Sequence, residues 1–377
     1  MKRRDLLLSA PALWAGALSG LHGNARAEAG VVTFGQSASL SGGQAKYGTE
    51  IRDGIAAAFA AANKAEGTKG LRFELQTLDD GGVKDRCVGN VKQLIDSGVA
   101  ALVGLTSGAA AEASLPAIEQ AQIALLGTAS GNMGIRQNAK APACHVRAGY
   151  DVEYKRMVTY IRDFGLRRVG YVYLGDTSKA NLAAMTQALD AVGVKPAAAI
   201  GIDRNAKSLQ PVADQLMAAN LDCVLFTTNA APIIKITEHM AAAKYPGMFF
   251  ASSFAGQDLV DGLANSNRSV VMSLVVPRPT ALGVAVVAQA KNDFAAFGNG
   301  TKLGVTTLEG YIAGRVAVEA ARQAAKGGTV GRARLKDTLA NLRADLGGYR
   351  VAFGPDNTTG SQYVEMVVID RFGRLVG

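Results

Sequence analysis

Apolar and polar residues follow a repeated order along the chain. The first unit starts with an apolar run at 31–34, continues through a loop rich in serine and glycine, and then places Ile51, Ile55 and Phe59 at intervals of three to four. The run indicates a buried strand and the spacing indicates an amphipathic helix. We therefore expect the loop at the carboxyl end of the strand, where α/β sheets commonly hold ligands.

The same strand–loop–helix order recurs up to residue 146 and then restarts. Apolar runs predict strands at 71–78, 99–103, 123–126, 169–174, 197–202, 223–227, 248–251 and 270–276. Amphipathic segments predict helices at 83–97, 109–121, 152–164, 179–192, 209–219, 233–243, 285–297, 306–325 and 335–342. This alternation predicts an α/β protein with two doubly wound units, each a parallel sheet covered by helices on both faces. The tail, 349–353 and 363–370, is interpreted as a hairpin around a turn at 354–357.

The N-terminus has the composition of an export signal. Basic residues at 2–4 precede an apolar stretch at 6–21, and Ala25-Arg26-Ala27 fits a cleavage site, which predicts a signal peptide at 1–27 and a periplasmic location. The Arg3-Arg4 pair resembles a twin-arginine signal, although the general secretory route would accept the segment too. No later apolar stretch is long enough for a membrane span, so we expect a soluble mature chain.

Composition and charge narrow the function classes. The 377 residues are 49% apolar and 19% charged, which is typical of a globular protein with room for two cores. Removing the signal takes away four basic residues and one acidic residue, and lowers the formal charge from +9 to +6. The remaining basic residues are scattered without an aromatic-interleaved stripe, so a nucleic-acid partner is not expected.

The three cysteines allow at most one intramolecular disulfide. Cys223 lies in an apolar strand and is interpreted as a core residue. Cys87 and Cys144 could pair in an exported protein, and the sequence leaves this pairing open.

Candidate catalytic groups are sparse. The mature chain has two histidines, His145 and His239, and it contains no H-E-x-x-H or C-x-x-C motif. The loop at 43–49 resembles a phosphate-binding loop, but Thr49-Glu50 stands where Lys and Ser or Thr are required. We therefore predict no catalytic residue, metal or cofactor.

Loops after three predicted strands of the first unit carry hydroxyl groups and each leads into a helix. They hold Ser39 and Ser41, Thr106 and Ser107, and Thr128 and Ser130. Hydroxyls beside the unpaired N–H groups of a helix start suit a carboxylate ligand. The same residues are also ordinary helix caps, and both interpretations stay open.

Seven stretches follow one another at characteristic spacings, namely SLSGGQAKYGTEIRDGI, LDDGGVKDRCVGNVKQLI, ALVGLTSG, LLGTASG, HVRAGYDVEY, TTLEGYIAG and GYRVAFGPDNTTGSQYVEMVVID. Together they resemble the type 1 periplasmic substrate-binding proteins of ABC importers, in the group that binds leucine, isoleucine and valine. The order and spacing of the stretches carry the resemblance, which spans nearly the whole mature chain.

The resemblance implies two lobes joined by three crossovers, near Arg147, Pro277 and Leu346. Lobe 1 would comprise 30–147 and 278–345, and lobe 2 would comprise 148–277 and 346–377. A ligand would be held between the lobes, which would close around it by a hinge motion.

The resemblance also implies site residues in lobe 1. Tyr47 matches a tyrosine that lines the cleft in the family. Ser107 and Ser130 match hydroxyl positions that hold the ligand carboxylate, and Ala129 matches a neighbouring backbone contact.

In lobe 2 the chain departs from the family pattern. Thr177-Ser178 follow Asp176 where many members have Tyr-Gly, and Asn229 stands at a tyrosine position. The segment that carries an acid in classical members has Ser253 and Phe254, which leaves Asp176 as the nearest acid. The implied lobe 2 contacts are Asp176, Asn229, Ser253 and Phe254.

These features favour a non-enzymatic, monomeric periplasmic receptor that delivers a small carboxylate, such as an amino acid or another organic acid, to an ABC permease. A sensory receptor of the same fold is one alternative, because a fold does not determine a function. An exported α/β enzyme is another, although the sequence offers no catalytic triad to nominate.

Overall fold

The computed structural model describes residues 30–67, 70–203 and 206–377, so the predicted signal peptide at 1–27 lies outside the described residues. The strands are β1 (Val31–Ala38), β2 (Arg72–Asp79), β3 (Ala101–Val103), β4 (Leu125–Leu126), β5 (Ala143–Cys144), β6 (Val169–Leu174), β7 (Ala198–Ile202), β8 (Cys223–Thr227), β9 (Met248–Ala251), β10 (Val270–Leu274), β11 (Arg343–Asp345), β12 (Arg350–Ala352), β13 (Glu365–Ile369) and β14 (Leu375–Val376). The helices are α1 (Ala45–Glu66), α2 (Lys84–Asp96), α3 (Gly108–Ala121), α4 (Met133–Arg136), α5 (Tyr150–Asp163), α6 (Lys179–Asp190), α7 (Gln210–Ala218), α8 (Ala230–Ala242), α9 (Gly256–Leu263), α10 (Ala285–Phe297), α11 (Val305–Ala325) and α12 (Arg332–Leu339).

Two large sheets confirm the predicted pair of α/β units. The first has the strand order β2-β1-β3-β4-β5 and is parallel throughout. The second has the order β14-β13-β10-β9-β8-β6-β7. Its five strands from β10 to β7 are parallel, whereas β13 pairs antiparallel with β10 and β14 pairs antiparallel with β13. We call the first sheet with α1–α4 and α10–α12 lobe 1, and the second with α5–α9 lobe 2.

Both parallel sheets follow the same winding order. In lobe 1 the strand order reverses between β1 and β3, and in lobe 2 it reverses between β6 and β8. Loops at the carboxyl ends of strands beside such a switch point form a crevice. The loops after β1, β3 and β4 on one side, and after β6, β8 and β9 on the other, therefore form the walls of the inter-lobe cleft.

Helices α1 and α11 of lobe 1 pack closely against each other. They cross at glycines, because a Cβ at Gly54 would collide with the Thr307 carbonyl and a Cβ at Gly310 would collide with the Ile51 carbonyl. This close approach fixes the position of Glu309, which lies on α11 and is buried.

The connections between the lobes meet at one tyrosine. The Tyr349 hydroxyl lies 3.3 Å from the Val146 carbonyl oxygen and 3.1 Å from that of Val275. Val146 precedes α5 and Val275 follows β10, so a residue of the third connection contacts the other two. The lobe boundaries at 147, 277 and 345 stay predictions, since strand pairing does not fix them to a residue.

One expectation from the sequence is wrong, and one pairing that the sequence left open is not formed. Segments 349–353 and 363–370 do not pair as a hairpin, because β12 pairs with β11, whereas β13 pairs with β10 and β14. Cys87 and Cys144 do not form a disulfide; all three cysteines are free thiols and buried. Cys87 lies in a core cluster on one side of the lobe 1 sheet and Cys144 in the other cluster.

Among the described residues, no helix is both long enough and apolar enough to cross a membrane.

Candidate functional site

The described residues form several pockets between the lobes, and two of these pockets share a phenylalanine. The first, which we call the Ser107 pocket, has about 40 Å³ open to the centre of a water-sized sphere and is lined by Ser107, Gly108, Ala109, Ser130, Asn132, Tyr150, Tyr154, Leu174, Asp176, Thr177, Ser178, Asn181, Thr227 and Phe254. The second, the Asn229 pocket, has about 230 Å³ by the same measure and is lined by Gly43, Gln44, Tyr47, Asn229, Ala230, Ala231, Ile234, Phe254, Ala255 and Asp258. Phe254 is the residue common to both.

The lobe 1 wall of the Ser107 pocket brings two serine hydroxyls to the start of α3. Ser107 is the N-cap, and its hydroxyl accepts a weak hydrogen bond from the Ala110 N–H at 3.4 Å. Ser130 lies against Gly108 so closely that a Cβ there would collide with the Ser130 hydroxyl. Hydroxyl donors beside a helix N-terminus, with its partial positive charge, are arranged to receive an anion.

The opposite wall, from lobe 2, is aromatic and polar. The rings of Tyr150 and Tyr154 stack with centroids 5.3 Å apart and planes 6° apart. Ser130 donates a hydrogen bond to the Tyr150 hydroxyl across the cleft at 3.3 Å. Burial raises the pKa of both phenols, so they stay neutral hydrogen-bonding groups at physiological pH. Asp176 is exposed and lies where this wall meets solvent.

Tyr47 forms the partition between the pockets together with Phe254. Their ring centroids are 5.7 Å apart with an interplanar angle of 65°, an edge-on contact. The Tyr47 hydroxyl donates to the Ala129 carbonyl at 2.8 Å. Burial, followed by the nearby Glu309 charge, raises the pKa of Tyr47 well above its ordinary value, so the phenol remains a donor.

A buried ion cluster centred on Arg147 joins the lobes at the base of the cleft. Its guanidinium donates to Glu153 on α5, to Glu309 on α11 at 3.1 Å and to the Ser253 hydroxyl at 2.6 Å. Burial lowers the pKa of Arg147, but the two carboxylates more than offset this and leave the pKa above its ordinary value. The guanidinium therefore remains charged, and it contacts lobe 1 and lobe 2 at once.

Polar contacts also close both rims of the cleft. At one rim, the Lys46 ammonium of lobe 1 lies 3.0 Å from Asp258 and 2.5 Å from Asp261, both on α9 of lobe 2. At the other, Ser178 donates to Glu112 at 3.2 Å. The two lobes are therefore in contact, and the structure represents a closed cleft.

The eight predicted site residues do not all line one pocket. Four of them line the Ser107 pocket, namely Ser107, Ser130, Asp176 and Phe254. Tyr47 and Asn229 line the Asn229 pocket with Phe254. Ala129 lines neither of these pockets; its N–H donates to Leu105 and its carbonyl accepts from Tyr47. Ser253 is held in the ion cluster by Glu153 and Arg147.

Sequence reasoning named no site residue from HVRAGYDVEY, although this stretch supplies Arg147, Tyr150, Glu153 and Tyr154 to the cleft. The sequence did contain a signal for the two tyrosines, because aromatic residues four apart at the start of a helix lie on one face and can stack. The buried arginine had no such signal, since its two acids are 6 and 162 residues away.

No group of His, Cys, Asp or Glu among the described residues is arranged to hold a metal ion.

Comparisons with known proteins agree with this architecture. A family model described as periplasmic binding protein matches residues 31–373. A curated relative, the Leu/Ile/Val-binding protein homolog 3 of Brucella melitensis, is 33% identical over 101 residues. That match covers 26% of this chain and only 27% of the relative.

Solved structures superpose over almost the whole described chain. A possible leucine/isoleucine/valine-binding protein from Rhodopirellula baltica has a TM-score of 0.85 at 25% identity, with 93% of this chain and 97% of that chain covered. A branched chain amino acid ABC transporter from Thermus thermophilus, with bound valine, has a TM-score of 0.83 at 14% identity, covering 92% and 95%. The second likeness concerns the fold alone.

Proposed function

Because the chain belongs to the periplasmic binding protein family, we propose that it is the extracytoplasmic receptor of an ABC transporter and binds a small carboxylate-bearing solute, an amino acid or another organic acid. The family and the fold are those of binding proteins and not of enzymes. The solute would lie in the inter-lobe cleft, and the closed protein would present it to a permease in the inner membrane.

The observation that carries the carboxylate assignment is the serine pair at the start of α3. Ser107 is the N-cap of α3, and the Ser130 hydroxyl lies against Gly108, the first residue of that helix. An anionic oxygen placed there would receive hydroxyl donors and face the positive end of the helix dipole. The Tyr150 phenol, 3.3 Å from Ser130, adds a neutral group from the opposite lobe.

The contacts between the lobes would retain the ligand in the cleft. Arg147 binds carboxylates of both lobes, and Lys46 of lobe 1 pairs with two aspartates of lobe 2. Contacts that exist only when the cleft is closed shift the equilibrium toward closure once a ligand fills the space between the walls. We propose hinges near Arg147, Pro277 and Leu346, with the lobe boundaries predicted from the sequence.

A thermal-shift screen with a panel of small carboxylates tests the assignment. A ligand at 100 times its Kd should stabilise the native state by about 2.7 kcal/mol. Replacing both Ser107 and Ser130 by alanine should abolish most of that shift. Ser97→Ala is a matched control, because Ser97 ends α2 and is exposed outside the cleft. Equal shifts in the wild type and the double variant would exclude the serine pair as the carboxylate site.

The proposal includes a periplasmic location, export by the N-terminal segment and action as a monomer. Transport can be separated from sensing by measuring uptake of the identified carboxylate in cells that lack the gene. Loss of uptake that returns with the wild-type gene supports delivery to a permease. Unchanged uptake together with a lost transcriptional response to the solute would instead favour a sensory receptor.

A further inference from the structure

One carboxylate of lobe 1 is buried where the two lobes meet. Glu50 lies on α1, and only 9% of its surface is exposed. One of its carboxylate oxygens, Oε2, is buried and has no hydrogen-bond partner among the described residues. Burying an ionised carboxylate is costly unless the group is paired and hydrogen-bonded. The surroundings of Glu50 in this structure therefore favour its protonated form.

Helix α9 of lobe 2 packs on this part of lobe 1. The Gln257 N–H of α9 donates to the Thr306 hydroxyl at 2.8 Å, and the Gln257 side-chain oxygen accepts from the Val305 N–H at 3.0 Å. Val305 and Thr306 begin α11 of lobe 1. The approach is close, since a Cβ at Gly256 would lie only 2.7 Å from the Thr306 hydroxyl oxygen. Separation of the lobes would therefore remove α9 and admit water to this region.

The charges closest to Glu50 come from both lobes and do not balance. On the same helix, the Lys46 ammonium lies 3.9 Å from one carboxylate oxygen of Glu50. That ammonium also lies 3.0 Å from Asp258 and 2.5 Å from Asp261, both on α9. One cation of lobe 1 is thus shared by one carboxylate of its own lobe and two of the other lobe.

The other helices beside Glu50 do not supply a second cation. The first charged side chain of α11 is Glu309, which is bound to Arg147. On α1 itself, the next acid is Asp53, and it is bound to Arg52. The start of α11 adds the positive end of a helix dipole and uncharged side chains. The imbalance around Glu50 is therefore a property of the closed interface.

Opening the cleft would change the surroundings of Glu50 from one side. Lys46 and Glu50 lie one turn apart on α1 and stay together, whereas Asp258 and Asp261 move away with lobe 2. In the closed protein, burial above all, and then the two aspartates, raise the pKa of Glu50 from 4.5 to about 7 against the effect of Lys46. Access of water and an undivided Lys46 charge would return that pKa toward its ordinary value in the open protein.

We propose that closing the cleft takes up a proton at Glu50, so that mildly acidic conditions favour the closed form. Because the closed form binds this proton more tightly than the open form, protonation contributes fully to closure below pH 4.5. The contribution is lost as the pH rises through about 7. The consequence for ligand affinity rests on the proposed function, since closure of the same cleft would retain the ligand.

Calorimetry of ligand binding in buffers of different ionisation enthalpy tests the inference, because it counts the protons taken up. The probe is the member of the small-carboxylate panel that raises the melting temperature most. At pH 7 the wild-type protein should take up about half a proton for each carboxylate bound. Its affinity should be about five- to tenfold higher at pH 6 than at pH 8.5.

Three variants separate a proton-linked role from a structural one. Glu50→Gln should lose the proton uptake, and its affinity should no longer depend on pH. Asp261→Asn should take up less than the wild type, because it removes a charge that faces Glu50 only in the closed protein. Glu74→Gln is the matched control, since Glu74 is exposed on β2, and it should keep the wild-type uptake.

Equal proton uptake by the wild type and Glu50→Gln would overturn the inference while leaving the carboxylate receptor intact. An unchanged uptake in Asp261→Asn would overturn it too. If no carboxylate binds, the proposed function fails, and small-angle X-ray scattering of the ligand-free protein decides the inference instead. The radius of gyration of the wild type should then increase from pH 6 to pH 8.5, and that of Glu50→Gln should not. A constant radius in the wild type would contradict proton-linked closure.

Discussion

Glu50 provides a quantitative test of how the closed cleft is held together. It lies on α1 one turn after Lys46, with 3.9 Å between the Lys46 ammonium and one carboxylate oxygen. Its other oxygen is buried without a partner among the described residues. Burial, followed by the charges of Asp258 and Asp261, raises the pKa of Glu50 from 4.5 to about 7, against the opposing effects of Lys46 and Thr306.

The direction of the pH effect follows from that pKa. Because the folded protein binds the Glu50 proton more tightly than the unfolded chain, protonation contributes stability that is complete below pH 4.5. That contribution is lost as the pH rises through about 7. One pKa unit corresponds to about 1.36 kcal/mol, so the ionised side chain destabilises the native state by about 1 to 3 kcal/mol at alkaline pH.

Glu50→Gln removes the ionisation while keeping the shape of the side chain. We expect the variant to be more stable than the wild type by about 1 to 3 kcal/mol at pH 8.5, and nearly equal to it at pH 4.5. Urea unfolding at four or five pH values measures the difference, provided that the two lobes unfold together. Glu74→Gln is the control, because Glu74 is exposed on β2. A variant that is less stable than the wild type at pH 8.5, or a difference that does not change with pH, would refute the reasoning.

Three further predictions concern the ion cluster, the partition and the thiols. Arg147→Met leaves Glu153 and Glu309 buried without their cation and should cost about 3–5 kcal/mol in urea unfolding; a loss below about 1 kcal/mol would contradict the cluster. Tyr47→Phe removes the donor to the Ala129 carbonyl and should cost about 1–2 kcal/mol in the same assay, whereas no change would show that the bond is unimportant. All three cysteines should react with a thiol reagent only after unfolding, without reductant, because each is free and buried; a single reactive thiol in the unfolded chain would indicate a disulfide.

Much of the fold could be predicted from the sequence because local patterns determine it. The spacing at 285–297 matches α10 to the residue, and the alternation of short apolar runs with helices gave two parallel sheets. Helix α9, at 256–263, was not predicted, because it has only eight residues and two turns carry little periodicity.

The hairpin error has a different cause. Segments 349–353 and 363–370 each have strand character, and the Gly-Pro-Asp-Asn turn lies between them. Strand pairing also depends on which sheet edges are free in the folded protein. Here β13 pairs with the edge of β10, which lies nearly one hundred residues earlier in the chain. The residues of a turn therefore do not indicate which distant strand pairs with the segment that follows the turn.

The candidate site shows the same difference between features set by local sequence and features set by distant contacts. Hydroxyl loops at the carboxyl ends of strands were visible in the sequence, and Ser107 and Ser130 do line one pocket. The Arg147 cluster and the contacts of Lys46 with α9 depend on how the lobes meet, which no local pattern encodes.

The central claim is that a small carboxylate is held between the lobes at Ser107 and Ser130. A crystal structure of the protein purified under native conditions, or after soaking with the best carboxylate from the thermal-shift screen, tests it most directly. The account predicts ligand density in the cleft, with a carboxylate within hydrogen-bond distance of both serine hydroxyls at the start of α3. A ligand bound in the cleft with no carboxylate at these serines, or bound outside the cleft, would contradict it.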